Sequence, residues 1–197
     1  METKKNKAVL SITYNAPVVL TFALLALIVL FVNQMTKGAA NHQFFSVYRS
    51  RLSVAWFIRL FCYVLGHSSF SHFAGNMTLF LLLGPILEEK YGSKNLLEMI
   101  AITTVLSGII NMIVFPKVAL LGASGIVFMM IILVSSSGLA KGKIPLTMIL
   151  VAVIYLGSEV YAAIFVEDNI SQFVHIVGGV CGALFAFAYE RLGIKKN

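Results

Sequence analysis

Five stretches of this chain run without a charged side chain for long enough to cross a bilayer: residues 8–36, 60–87, 99–116, 118–140 and 169–189. A sixth apolar run, 144–165, is interrupted only by Glu159. The hydrocarbon core is about 30 Å thick, which roughly 20 helical residues cross. Inside it a backbone must satisfy its own hydrogen bonds, so such segments fold as helices rather than as open sheet or loop. The expected fold is therefore all-α and polytopic. Six helices are predicted, at 13–34, 69–87, 96–115, 122–139, 144–165 and 170–189. The second starts late in its charge-free stretch because LGHSSFSH at 65–72 is polar and turn-like. With 59% apolar and 12% charged residues in 197, and a mean hydropathy of +0.91, no part separates as a soluble domain. Residues 1–197 are read as a single membrane domain with short termini.

Basic residues orient the helices. Threading six spans in order puts Lys4, Lys5, Lys7, Lys90, Lys94, Lys141, Lys143, Arg191, Lys195 and Lys196 on one side, and Lys37, Arg49, Arg51, Arg59 and Lys117 on the other. Cytoplasmic loops carry the excess of Lys and Arg, so both termini are expected in the cytoplasm of a plasma-membrane protein. The net charge of +7 is distributed over short loops beside spans. That pattern suits anionic lipid headgroups and gives no reason to expect a nucleic-acid partner. METKKNK before an apolar run resembles a signal peptide, but the run is longer than a usual signal core and further spans follow, so the first helix is expected to be retained. Cys62 and Cys181 form no disulfide framework, and Cys181, inside the last span, reads as a packing residue.

The longest connector, roughly 36–68, mixes aromatics and leucines with arginines in NHQFFSVYRSRLSVAWFIRLFCYVLG. That composition fits short helices at a membrane interface. An ordered first outer loop beside the bundle is expected.

Polar groups in such a chain need a reason. LLGASGIVF at 120–128 puts Ser124 between two glycines at the outer end of the fourth span. His72 and Asn76, four residues apart, share a face of the second span. His175 lies about 9 Å into the last span. Each has an ordinary structural role open to it: a serine bonding back to its own helix, a histidine linking helices, a polar tie to a loop. Together they occupy one membrane side at similar depth, and their chemistry is complementary. A neutral His175 can take the Ser124 proton and return it to a leaving amine. Asn76, His72 and the Ser124 amide can donate to the oxyanion of a tetrahedral intermediate. Gly122 and Gly125 permit a tight turn and close approach there. Gly178 and Gly182 leave a stripe without bulk on the last span, letting it approach the fourth. The carboxylates Asp168 and Glu159 have no evident path to the imidazole, so a Ser-His dyad is expected, with His175 oriented by packing on Phe128 or by a backbone or water contact.

GASG at 122–125, HFAGN at 72–76, HIVGGVCG at 175–182 and GPILEEKYG at 84–92, in this order and each in its proper span, resemble the rhomboid family of intramembrane serine proteases in its minimal six-helix form. The resemblance implies Ser124 as nucleophile, His175 as general base, and His72 and Asn76 on the oxyanion side. It further implies that His67 lies in the substrate entrance region, that Arg59 ties the first outer loop together, and that Glu88 supports the inner end of the second helix. Two positions depart from the family's pattern. Ile58 precedes Arg59 where tryptophan is usual, with Trp56 nearby, and Phe128 stands where tyrosine is common.

The reaction expected is peptide-bond hydrolysis through an acyl-enzyme, with no cofactor and no metal. Expected substrates are membrane proteins whose span is weakened by Gly, Ala, Ser or Pro near its outer end, because only an extended segment exposes its carbonyls. Two other classes stay open on the residues alone: a catalytically inactive rhomboid-like protein that binds transmembrane helices, and a small transporter using His67, His72 and His175. Retention of both nucleophile and base disfavours the first, and the missing further carboxylate or cysteine ligands disfavour the second.

Overall fold

The computed structural model describes residues 13–136, 146, 149, 150, 153, 154 and 169–191. Seven α-helices lie within 13–136 and 169–191: α1 (Pro17–Met35), α2 (Ala39–Phe44), α3 (Val54–Cys62), α4 (Phe70–Tyr91), α5 (Ser93–Val114), α6 (Ser124–Ser135) and α7 (Asn169–Arg191), with a 3-10 turn at Tyr63–Leu65. Three of them, α1, α4 and α5, are long and apolar enough to cross a membrane. The apolar parts of α6 and α7, Ser124–Ser135 and Phe173–Tyr189, are shorter. The expected fifth span, 144–165, lies outside the described residues apart from Leu146, Ile149, Leu150, Val153 and Ile154, which are helical and exposed. Glu159 and Asp168 also lie outside them.

Helix boundaries follow backbone chemistry more closely than hydropathy. Helix α1 begins at Pro17 rather than at residue 13, because proline is preorganised for the first helical position and has no N–H to leave unpaired there. Helix α4 continues past 87 through Glu88, Glu89 and Lys90 and contains Pro85. Charges end an apolar stretch without ending a helix. Gly92, at φ +83°, both terminates α4 and precedes α5, which therefore starts at Ser93 instead of 96. Helix α6 begins at Ser124, two residues after the expected start, since Gly122 has φ +115° and cannot be helical.

At one end of the bundle Glu88 joins α4 to α1. Its two carboxylate oxygens accept the backbone N–H groups of Val18 (3.0 Å) and Val19 (3.1 Å), and Oε1 also accepts the Ser93 hydroxyl at 2.7 Å. These amides belong to the unsatisfied first turn of α1, where a negative charge also complements the helix dipole. Nearby, a side chain on Gly84 would strike Val19 Cγ2 at 2.6 Å, and Phe22 stacks on Phe80 at 4.6 Å. The long connector is ordered at the opposite end. Val47 and Leu120 exchange antiparallel backbone hydrogen bonds (2.8 and 2.9 Å), and Tyr63 donates its hydroxyl to the Thr104 carbonyl at 2.9 Å.

The most extensive packing between described helices is α6 against α7. A Cβ on Gly178 would overlap the Gly125 carbonyl, and one on Gly182 the Met129 carbonyl. Gly179, one position away, would meet only Ile132 Cγ1 at 3.7 Å, an ordinary contact. Gly178→Ala should therefore destabilise by about 1–3 kcal/mol, whereas Gly179→Ala should be neutral or stabilising by up to about 1 kcal/mol. Thermal unfolding in a mild detergent distinguishes them. Equal melting shifts for the two would disprove the close approach of α6 and α7.

Candidate active site

Three elements deliver polar groups to one open cavity of about 640 Å³. Its wall includes Ser124 from α6, His175 from α7, and His72 and Asn76 from α4, with Ser68 and Gly75 at the same mouth. Ser124 and His175 are both half-buried.

Ser124 is the first residue of α6, and no side chain caps that helix at Ala123. The first-turn amides of α6 consequently retain donor capacity at the cavity. The loop before it is fixed from two sides: Leu120 by Val47, and Gly122 by donation of its N–H to the Tyr63 carbonyl at 3.0 Å. Gly122 tolerates its positive φ because it lacks a Cβ, and a Cβ there would sit 2.8 Å from His72 Nε2 and 3.7 Å from Asn76 Nδ2. Those two nitrogens thus face the turn that introduces Ser124.

Their hydrogen bonds define what they offer. The Ser68 amide, which can only donate, points at His72 Nδ1 (3.5 Å), and the Ser68 hydroxyl lies 3.1 Å from the same atom. Nδ1 acts as acceptor, so the neutral ring carries its proton on Nε2, toward Gly122. Asn76 Nδ2 is buried and has no partner among the described residues. A buried amide donor without an acceptor is costly. Asn76 also lines the cavity, so this unpaired donor lies close to its wall.

On the other side His175 stacks on Phe128, with ring centroids 4.1 Å apart and planes 4° from parallel. Phe128 lies one turn below Ser124 on α6, so the same glycine contacts that seat α7 also set this imidazole against the helix carrying the serine.

His67 does not line the cavity. It is fully buried behind it, edge-on to His72 (5.0 Å) and Phe73 (5.4 Å). Its Nδ1 donates to the Leu65 carbonyl at 3.1 Å, and its own carbonyl accepts Asn41 Nδ2 at 2.9 Å. Arg59 likewise stands away from the cavity, buried in the connector, donating to Tyr48 (2.6 Å) and Ser50 (3.0 Å) with its guanidinium over the Tyr48 ring. Glu88 is at the far end of α4, and Gly125, Gly178 and Gly182 form the α6–α7 contact. Sequence reasoning missed Ser68, whose place one turn before His72 in HSSFSH was the available signal. It also missed the Val47–Leu120 pairing, which leaves no trace in composition. No group of three His, Cys, Asp or Glu side chains is placed to hold a metal among the described residues.

A rhomboid-domain family model matches residues 54–191, more than half of the chain, from α3 through α7. The chain belongs to the rhomboid family. Compared with curated proteins, this rhomboid has no significant match.

Burial holds the His67 imidazole down at about 4, from an ordinary 6.5, with repulsion from His72 adding to the effect and the Leu65 carbonyl opposing it. The unfolded chain therefore binds this proton more readily than the folded one. Stability from His67 is complete above about pH 6.5 and is lost as pH falls from there toward 4. Melting temperatures measured across this window should decline less steeply in His67→Gln than in the parent protein. Parallel pH profiles would show that His67 does not titrate on unfolding.

Proposed function

We propose that this rhomboid is an intramembrane serine endopeptidase of the plasma membrane, a six-span bundle with both termini in the cytoplasm and its cavity open toward the outer face. The observation that carries the reading is the shared cavity. It collects a half-buried serine at a helix start, a histidine stacked on Phe128, and His72 and Asn76, whose nitrogens face the Gly122 turn just before that serine. Family membership supports the same reading.

Ser124 Oγ attacks the scissile carbonyl while His175 takes its proton. The carbonyl oxygen becomes an oxyanion held by His72 Nε2–H, Asn76 Nδ2–H and the Ser124 amide. His175 then protonates the leaving amine, which departs as the acyl-enzyme forms. Water from the open cavity attacks the ester carbonyl as His175 takes its proton; the acyl C–Oγ bond then breaks, His175 returns the proton to Ser124 Oγ, and the new carboxyl terminus leaves. Phe128 packs flat on His175 in this scheme, without the hydroxyl that tyrosine would add. The proposed machinery is a Ser-His dyad, which transfers protons less effectively than a full triad, and slow turnover is expected. Substrates are membrane proteins with a helix-weakened segment near the outer face, since a regular helix keeps its carbonyls bonded and out of reach.

The test is incubation of purified protein with transmembrane peptides, mass determination of the fragments, and labelling with a serine-directed phosphonate. Ser124→Ala should abolish cleavage and labelling, and His175→Ala should reduce both sharply. Asn76→Ala should lower kcat by about 10²–10³-fold, the usual cost of an oxyanion donor. Gly122→Ala, strained at its φ and crowding His72, should lower kcat as well. Undiminished labelling of Ser124→Ala would refute the dyad. A well-folded parent that binds the peptides without cutting any would favour an inactive helix-binding rhomboid.

A further inference from the structure

A second pocket, of about 450 Å³, lies between the connector and α5 and is unrelated to the catalytic cavity. Arg49 and Ser50 form its polar side, Trp56 stands at its edge, and Ile109, Met112 and Ile113 of α5 make its apolar wall. We propose that this pocket binds an anionic phospholipid, its phosphate on Arg49 and its acyl chains on the α5 wall.

Charge is the first argument. Residues 37–87 contain Lys37, Arg49, Arg51 and Arg59 and no Asp or Glu. The described residues provide no carboxylate within ion-pair distance of these arginines. Arg59 lies directly behind the pocket. It is buried, shares Ser50 with the lining through a 3.0 Å hydrogen bond, and leaves its Nε without a partner. A buried guanidinium with only neutral partners is favoured by a nearby anion. Arg49 is exposed and supplies the direct contact.

The apolar wall decides what kind of anion. Leu52 and Ile113 are 75% and 71% exposed at this pocket. Beside it α3 presents Val54, Phe57 and Phe61, each more than half exposed. In a chain that spans the membrane this is a lipid-facing surface, with Trp56 at the height where indoles prefer to sit. A free phosphate satisfies Arg49 but leaves the aliphatic wall unused. A zwitterionic lipid brings a cationic headgroup toward an arginine cluster. An anionic diacyl lipid fits both halves, and it would brace the connector that pairs with the Ser124 loop through Val47 and Leu120.

Native mass spectrometry in a neutral detergent tests this, with phosphatidylglycerol and phosphatidylcholine of identical acyl chains as probes. Phosphatidylglycerol should bind at least about fivefold more tightly, and Arg49→Gln should weaken it by about fivefold. Arg49→Lys should retain most of the affinity, and Ile113→Ser should reduce it. Lys94→Gln, at the other end of α5, should leave binding unchanged. If Arg49→Gln fails to fold, Arg49→Lys and Ile113→Ser carry the comparison. The proposal is overturned if the two lipids bind equally, if Arg49→Gln has no more effect than Lys94→Gln, or if millimolar inorganic phosphate displaces the lipid.

Discussion

The backbone contact between α6 and α7 sets where His175 stands relative to the helix that begins with Ser124. Gly178 lies against the Gly125 carbonyl and Gly182 against the Met129 carbonyl, at separations that leave no room for a single methyl group. Within lipid there is little hydrophobic gain in bringing two apolar helices together, because the tails are as apolar as the side chains. Close packing of small residues therefore sets their spacing. Here that spacing also seats His175 flat on Phe128. A wider α6–α7 gap would unstack the imidazole and move it away from the helix that begins with Ser124.

The other half of the site is held by the connector. Residues between α1 and α4 pair with the loop before α6 through Val47 and Leu120, and the Tyr63 carbonyl takes the Gly122 amide. Asn41 reaches the His67 carbonyl, which stabilises the backbone leading into α4 and hence the first turn carrying His72. At the opposite end Glu88 anchors α1 to α4 by binding two first-turn amides. The cavity end is thus framed by loop hydrogen bonds, and the distal end by one carboxylate on a helix terminus. Neither framework uses the side chains of His72 and Asn76: among the described residues Asn76 Nδ2 has no partner, and His72 Nε2 faces the Gly122 turn.

Burial divides the histidines by role. His67 is enclosed, bonded through Nδ1 to a backbone carbonyl, and held neutral. His72, propped by Ser68, faces the cavity with a donor. His175 is half-buried and lines the same space. One residue type thereby stands in three settings, a packed support, a ring propped by a serine at the cavity wall, and a ring stacked on Phe128 in the same cavity.

Hydropathy and residue spacing by themselves determined that this chain is all-α and that its apolar helices are long enough to cross a membrane, since both follow from local chemistry and lipid thickness. They also singled out Ser124, His72, Asn76 and His175, because polar groups are conspicuous in an apolar background. The helix ends were less legible: Pro17, Gly92 and Gly122 set them through φ, to which hydropathy is blind. Only the tertiary structure decided that His67 stands behind the cavity rather than in it, that Arg59 bonds Tyr48 and Ser50 of the connector, that Ser68 fixes the His72 tautomer, and that Val47 clamps Leu120. Those outcomes depend on contacts between segments dozens of residues apart, whose geometry no local pattern encodes.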